Sequence, residues 1–235
     1  MKILITGSSG FIGFHLSKLL LNKGYRVHGV DSMNSYYDVN LKKARLKILK
    51  KYKLFDFSKA KLEDNKKIDN IFKKISPKVV IHLAAQAGVR YSVDKPRVYL
   101  KSNIDGTFNV IESSHKIKVK HLIMASSSSV YGANKKIPFK ESDESKTQLS
   151  IYAYKKKANE SMSHSYSHIW KIPITMLRFF TVYGPWGRPD MALFKFTKHI
   201  LSGLTIDIYN KGNMKRDFTY IDDLIRAIYL LIAEK

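Results

Sequence analysis

The chain opens with an apolar run, Lys2-Ile3-Leu4-Ile5-Thr6, that passes directly into Gly7-Ser8-Ser9-Gly10-Phe11-Ile12-Gly13. Phe11, Leu16, Leu19 and Leu20 then recur at helical spacing until Asn22-Lys23-Gly24 gives a stop signal. A buried strand, a glycine turn and a helix at the start of the fold leave few architectures open. The glycines allow a tight turn and a close backbone approach, and the helix start offers free N–H groups and the positive end of its dipole. This is the context that a dinucleotide pyrophosphate requires. The spacing is G-x-x-G-x-x-G, and glycine-rich turns of this kind are common on their own. Asp31, at the end of the second strand, strengthens the reading. A carboxylate there accepts from an adenosine ribose diol and repels a 2′-phosphate, which favours NAD over NADP; taken alone it also fits a turn.

Strand and helix patterns alternate from there on. Strands are expected over Lys2–Thr6, Tyr25–Val30, Lys53–Asp56, Val79–Leu83, Val119–Ala125 and Ile174–Phe179. Helices are expected over Phe11–Lys23, Val39–Lys51, Glu63–Ile75, Arg97–His115 and Tyr152–His168. This rhythm predicts an α/β fold, a Rossmann-type doubly wound parallel sheet. It changes after Tyr183. Gly184–Pro189 reads as a loop, Met191–Leu201 as helix, Thr205–Tyr209 as extended, Phe218–Ile221 as a strand and Asp222–Ile232 as helix. The expected division is an NAD-binding unit over 1–183, rejoined by 216–235, and a small, incomplete substrate-binding subdomain over 184–215.

Composition removes several classes. The 235 residues include no cysteine, so disulfides, thiol nucleophiles and cysteine metal sites are out, and no metal site is expected. No apolar run is long enough to span a bilayer. The N-terminus does not read as a signal peptide, and a cytoplasmic location is the default expectation. The formal charge is +23, from 42 Lys+Arg against 19 Asp+Glu, and most of the cations are lysines spread along the chain. A nucleic-acid surface favours arginine, so a solvated lysine-rich surface is the better reading and no nucleic-acid partner is expected. The segment 42–53 (KKARLKILKKYK) fits an outer helix of the sheet, buried through Leu46 and Leu49, better than a membrane or nucleic-acid helix.

Two further motifs carry chemistry. Tyr152 and Lys156 stand four apart on one helical face. An ammonium and an oxidised nicotinamide nearby both favour the phenolate, which makes Tyr152 a general base near neutral pH. Ser126–Ser129 lies where a strand ends, at the edge where parallel sheets bind ligands, and its hydroxyls can serve a sugar and the tyrosine. A plain serine turn is the alternative. Asp56, after the third strand, reads equally as an adenine neighbour and as a turn or helix cap.

In combination these motifs resemble the extended short-chain dehydrogenase/reductase family and, within it, the NAD-dependent nucleotide-sugar epimerases, UDP-glucuronate 4-epimerases in particular. Asp31 with Tyr36–Leu41, the stretch His82–Tyr91 (HLAAQAGVRY), Leu177–Asp190 (LRFFTVYGPWGRPD) and Lys215–Asp223 (KRDFTYIDD) carry the resemblance. It implies NAD held by Gly7, Gly10, Phe11, Ile12, Gly13, Asp31, Asp56, Phe57, Leu83, Ala84, Ala85, Asn103, Tyr152 and Lys156. It implies a catalytic Ser127, Tyr152 and Lys156, and a UDP-sugar met by Arg90, Ser128, Thr181, Arg188 and Arg216. Arg188 falls where a sugar carboxylate would lie. The implied reaction oxidises C4, turns the 4-keto sugar over and returns the hydride from the same tightly held cofactor. A homodimer through the Arg97–His115 and Tyr152–His168 helices is also implied.

Relatives run longer at the C-terminal end, which implies a missing strand, an open sugar pocket and, as the rival outcome, an NAD-binding homologue without turnover. Ser128-Ser129 stands where a 4,6-dehydratase carries Asp-Glu. Thr181 replaces the Asn typical of UDP-glucose 4-epimerases, which favours the uronate. Lys155, beside Lys156, is expected to point elsewhere with little effect.

Overall fold

The structure, a computed structural model, describes residues 1–143, 145–213 and 215–233, with the backbone alone at Val89, Arg90 and Ala233. Six strands form one parallel sheet: β1 (Lys2–Thr6), β2 (Arg26–Asp31), β3 (Phe55–Lys59), β4 (Val79–His82), β5 (His121–Ala125) and β6 (Ile174–Leu177). Their order is β3-β2-β1-β4-β5-β6, so the chain winds outward from β1 in one direction and from β4 in the other. The crevice between the carboxyl ends of β1 and β4 is the switch point, where open sheets of this kind take their ligands.

The period of two along β1 divides the core. Ile3 and Ile5 face one cluster with α1 (Phe11–Asn22), α2 (Val39–Leu49) and α9 (Ile221–Ala233). Leu4 faces the other, with α3 (Asn65–Ile75) and α6 (Gly106–Lys116), against which α7 (Ile151–Trp170) also packs. All three β1 side chains are fully buried, and each such residue contributes roughly 1.5–3 kcal/mol. A central parallel strand covered on both faces is apolar throughout, as this one is.

Several elements differ from the sequence expectation. β3 runs Phe55–Lys59, later than Lys53–Asp56, because Phe55 and Phe57 alternate onto one core face. The expected helix Arg97–His115 is three pieces: α5 (Pro96–Tyr99), a π-helical segment (Leu100–Asp105) and α6. Residues 204–208 form no strand, and a 3₁₀ turn, Tyr209–Gly212, follows them. A short helix α4 (Val89–Asp94) and a strand β7 (Thr181–Tyr183) were not anticipated. β7 pairs in parallel with β8 (Phe218–Tyr220) outside the main sheet, too brief for periodicity to reveal. Helix α8 (Ala192–Leu201) buries none of its residues. Among the described residues no helix is long and apolar enough to cross a membrane.

Helix α2 keeps Leu49 fully buried and Leu46 against the core, as its pattern suggests. The same stripe also buries Lys42 and Arg45, at i, i+3, i+4 and i+7 spacing with the two leucines.

The turn after β1 is closely packed. Gly7 has φ +76°, and a Cβ there would stand 2.8 Å from the Ala84 backbone nitrogen. A Cβ at Gly13 would fall well inside contact distance of the Gly7 carbonyl oxygen. We predict that Gly13→Ala pushes α1 off β1 and costs on the order of 1–3 kcal/mol in urea unfolding; an unchanged midpoint would contradict this packing.

Candidate active site

The glycine turn forms a cradle at the start of α1. Gly7 N–H donates to the Val30 carbonyl at 2.7 Å and Gly10 N–H to the Gly7 carbonyl at 2.9 Å. Ser8 and Ser9 have buried hydroxyls with no partner in the protein, Ser8 Oγ lying against Gly29 of β2. Phe11 and Ile12 open the helix behind the turn, Phe11 in the core and Ile12 partly buried against it. Asp31, at the end of β2, accepts from Ser9 N–H at 3.1 Å and Met33 N–H at 2.8 Å. Each carboxylate oxygen keeps a free lone pair for a ribose diol. Leu83, Ala84 and Ala85 leave β4 across the crevice, with Leu83 N–H on the Thr6 carbonyl and Ala84 N–H on Thr6 Oγ1, both at 3.2 Å. This set fits a dinucleotide: the cradle would hold the pyrophosphate, Asp31 the adenosine ribose and Leu83–Ala85 the opposite wall.

Beneath the crevice, His82 bonds Thr6 Oγ1 at 2.7 Å and Thr107 Oγ1 at 3.0 Å, and burial pushes its pKa down to about 3. Asn103 sits in the π-helical segment. Its side chain accepts from Gln86 N–H at 2.7 Å and donates to the Gln86 carbonyl at 2.9 Å, fixing the turn after Ala85. A π-bulge often marks a functional position.

Tyr152 and Lys156 share one face of α7, opposite the serine cluster. Ser127 starts the 3₁₀ turn Ser128–Tyr131, its Oγ accepting from Ser129 N–H at 3.2 Å, and it also interacts with the Tyr152 phenol. Ser128 N–H is tied to the Phe179 carbonyl at 2.8 Å. Lys156 is buried and donates to the Ala125 carbonyl at 2.6 Å, and burial pushes its pKa down to about 8. Burial raises the Tyr152 pKa, against smaller lowering effects of Ser127 and Arg188. The Lys156 ammonium is turned to a backbone carbonyl.

Arg188, in the loop after β7, is the cation acting on that phenol. Its Nε and Nη2 grip both oxygens of Asp190, Nε at 3.1 Å. Tyr36 donates to the same carboxylate at 3.1 Å. Burial opposes the charge on Arg188, but Asp190 outweighs it and the net pKa is raised. Below the serines, Glu160 takes a two-pronged contact from Arg178, Nε and Nη2 at 3.0 Å each, and a hydrogen bond from Ser126 at 2.6 Å.

Asp56 and Arg216 are not gathered here. Asp56 lies inside β3, exposed and paired in register with His28, whereas Asp31 pairs with Lys59. Three strand residues separate Asp56 from the ligand edge, roughly 10 Å, so the expected adenine contact is corrected. Phe57 packs against the core. Arg216 is exposed, its guanidinium on its neighbour's Lys215 carbonyl at 2.9 Å. Thr181 begins β7, paired with Phe218. The Arg90 side chain lies outside the described residues.

Residues that the sequence reading passed over also shape the site. Tyr36, Arg45, Asp190 and Asn159 all do so, Asn159 donating to the Asn103 carbonyl at 2.9 Å. Tyr36 and Asp190 stand within the blocks that carry the family resemblance, and Arg45 left its place on the apolar stripe of α2 as a signal. Lys155 is buried too, donating to the Pro96 carbonyl at 2.9 Å with its ammonium 4.6 Å from the Tyr99 ring centre.

A glycine cradle at the β1 exit, a carboxylate at the end of β2 and a Ser/Tyr/Lys group beyond β5 are the arrangement of a dinucleotide-dependent enzyme of the Rossmann class. Comparison with known proteins takes this to the family. The model of the NAD dependent epimerase/dehydratase family matches residues 3–235. Protein CapI of Staphylococcus aureus is 57% identical over 234 residues, covering 100% of this chain and 70% of its own length. A probable UDP-glucuronate 4-epimerase of Rhizobium meliloti is 53% identical over 231 residues, covering 98% of this chain and 68% of its own. The crystal structure of UDP-glucuronic acid 4-epimerase from Bacillus cereus with UDP-glucuronic acid and NAD matches at TM-score 0.92 and 38% identity, over 99% of this chain and 73% of that one. The chain belongs to the NAD-dependent epimerase/dehydratase family, and its cofactor is NAD.

Lys155 gives a stability signature. A free lysine titrates at 10.5 and burial lowers this one to about 8. Between these values the unfolded chain holds a proton that the folded chain has released, so stability rises with pH there and falls as pH drops through about 8. Lys156 contributes in the same sense. We predict that Lys155→Met removes about half of the gain in melting temperature between pH 8 and pH 10; an undiminished gain would contradict its burial as a cation.

Proposed function

We propose that the chain epimerises C4 of a UDP-sugar, interconverting UDP-glucuronate and UDP-galacturonate. The observation that carries the proposal is the convergence of Ser127 and Arg188 on the Tyr152 phenol, with Lys156 on the same helical face. The names of the Rhizobium and Bacillus relatives support both the 4-epimerase reading and the uronate.

Each residue has a task in this reaction. Tyr152 takes the proton of the sugar 4-hydroxyl and returns it. Ser127 holds the hydroxyl and the phenol in line. Lys156 binds the nicotinamide ribose, and its charge together with that of Arg188 favours the phenolate. NAD, when bound, supplies reversible hydride acceptance at C4. Asp190 engages the Nε side of the Arg188 fork, so a sugar carboxylate can meet its other side while Asp190 stays in place. In this reading 1–183 with 216–235 carry the cofactor, and 184–215 contribute to the sugar side.

The same reading assigns a homodimer through the α5–α6 and α7 helices. Exposed Val98, Leu100, Phe108, Ile169 and Trp170 along these helices support it.

Tyr152→Phe is expected to abolish nearly all turnover while NAD still co-purifies; substantial residual epimerisation would refute the base assignment. Arg188→Ala should weaken UDP-glucuronate binding by roughly 10–100-fold, the worth of a charge-assisted hydrogen bond, and UDP-glucose binding far less. Calorimetry on both ligands measures this, and equal losses would exclude Arg188 as the uronate contact.

A further inference from the structure

Arg45 is fully buried on α2, more than a hundred residues in sequence from the loop 184–190. Its Nη1 donates to the Ser9 carbonyl at 3.1 Å and to Tyr37 Oη at 2.9 Å. Its Nη2 donates to the Gly187 carbonyl at 3.2 Å and also to the Trp186 carbonyl. All four acceptors are uncharged, and the Nε–H has no partner. Burying a guanidinium without a bonded carboxylate is unfavourable for folding, and a methionine or leucine on this stripe would fill the same space more cheaply. What an apolar side chain cannot do is bond two separate backbones at once. One is the phosphate cradle, at Ser9. The other is the loop that carries Arg188.

The loop is strained where Arg45 holds it. Trp186 has φ +59°, in the left-handed region that a bulky residue avoids. Its carbonyl is turned onto the guanidinium in that conformation. The remaining ties of the loop also come from the cofactor half. His15 on α1 bonds the Pro185 carbonyl at 2.9 Å, the Phe14 ring lies 5.6 Å from Trp186, and Tyr36 bonds Asp190.

We propose that Arg45 is a positioning residue that fastens the 184–190 loop to the phosphate cradle and so sets Arg188 beside Tyr152 for sugar recognition. Arg45 touches neither sugar nor reacting atoms. Its effect on the sugar rests on the UDP-uronate reading above, whereas its effect on the loop does not.

The test uses Arg45→Lys, which keeps a charge but cannot span both backbones, compared with the unchanged protein. Trp186 and Trp170 are the two tryptophans, so a Trp170→Phe background leaves Trp186 as the sole reporter of the loop. Arg45→Lys should retain its co-purified NAD and weaken UDP-glucuronate, in KM and in binding, by roughly 10–100-fold with a much smaller change in kcat. Acrylamide quenching of Trp186 should roughly double as the loop loosens. Unchanged quenching and KM, with only a lower melting temperature, would overturn the proposal and leave Arg45 as packing. Loss of NAD with UDP-glucuronate binding intact would overturn it too. If Arg45→Lys is insoluble, Arg45→Gln takes its place with the same readouts, and failure of both to fold also overturns it, since Arg45 would then be a fold determinant. If the unchanged protein does not bind UDP-glucuronate, the substrate reading fails, and the quenching change alone decides the role of Arg45.

Discussion

The site depends on how closely the first helix approaches the end of the first strand. The Gly7 carbonyl occupies the space where any other residue at position 13 would carry its Cβ. That contact turns the free N–H groups of α1 toward the crevice and brings Ser9 within reach of Asp31 and Arg45. On the far side of the crevice Ala84 closes against Gly7. Leu83–Ala85, Asp31 and the 184–190 loop are all referred to one turn of seven residues.

Charge is the second organising quantity. A chain of net charge +23 has ample lysine to leave in water, yet Lys42, Arg45, Lys155 and Lys156 are all buried. Each bonds backbone carbonyls: Asn34 for Lys42, Ser9 and the loop for Arg45, Pro96 for Lys155 and Ala125 for Lys156. Buried cations on carbonyls fix backbone segments and, near a phenol and an anionic ligand, supply field in a region of low dielectric. Arg188 and Arg178, less deeply buried, meet the carboxylates of Asp190 and Glu160 instead.

Local patterns were legible in the sequence. The cradle, Asp31 and the Tyr152/Lys156 spacing are short-range features whose geometry follows from one turn, one strand end and one helical face. The strand order agrees with the alternating rhythm. Less was legible where the determinant is a distant contact. Nothing near Arg45 announces a loop beyond residue 180. Asp56 was misplaced because Leu54-Phe55 draws the strand early, while the alternation of Phe55 and Phe57 carries it on to Lys59. The π-helical break at Leu100–Asp105 follows from Asn103 reaching Gln86, a pairing that helical periodicity does not encode. The direction of the Tyr152 pKa reflects burial, which spacing on one helix cannot register.

The proposed reaction is a reversible hydride exchange at one sugar carbon, served by Tyr152 and a resident NAD. Incubating the purified protein with UDP-glucuronate deuterated at C4, without added cofactor, tests it by NMR. UDP-galacturonate with the deuterium retained at C4 is the expected product. Deuterium lost to solvent, product formed only after NAD is added, or no product from protein that carries NAD would contradict it.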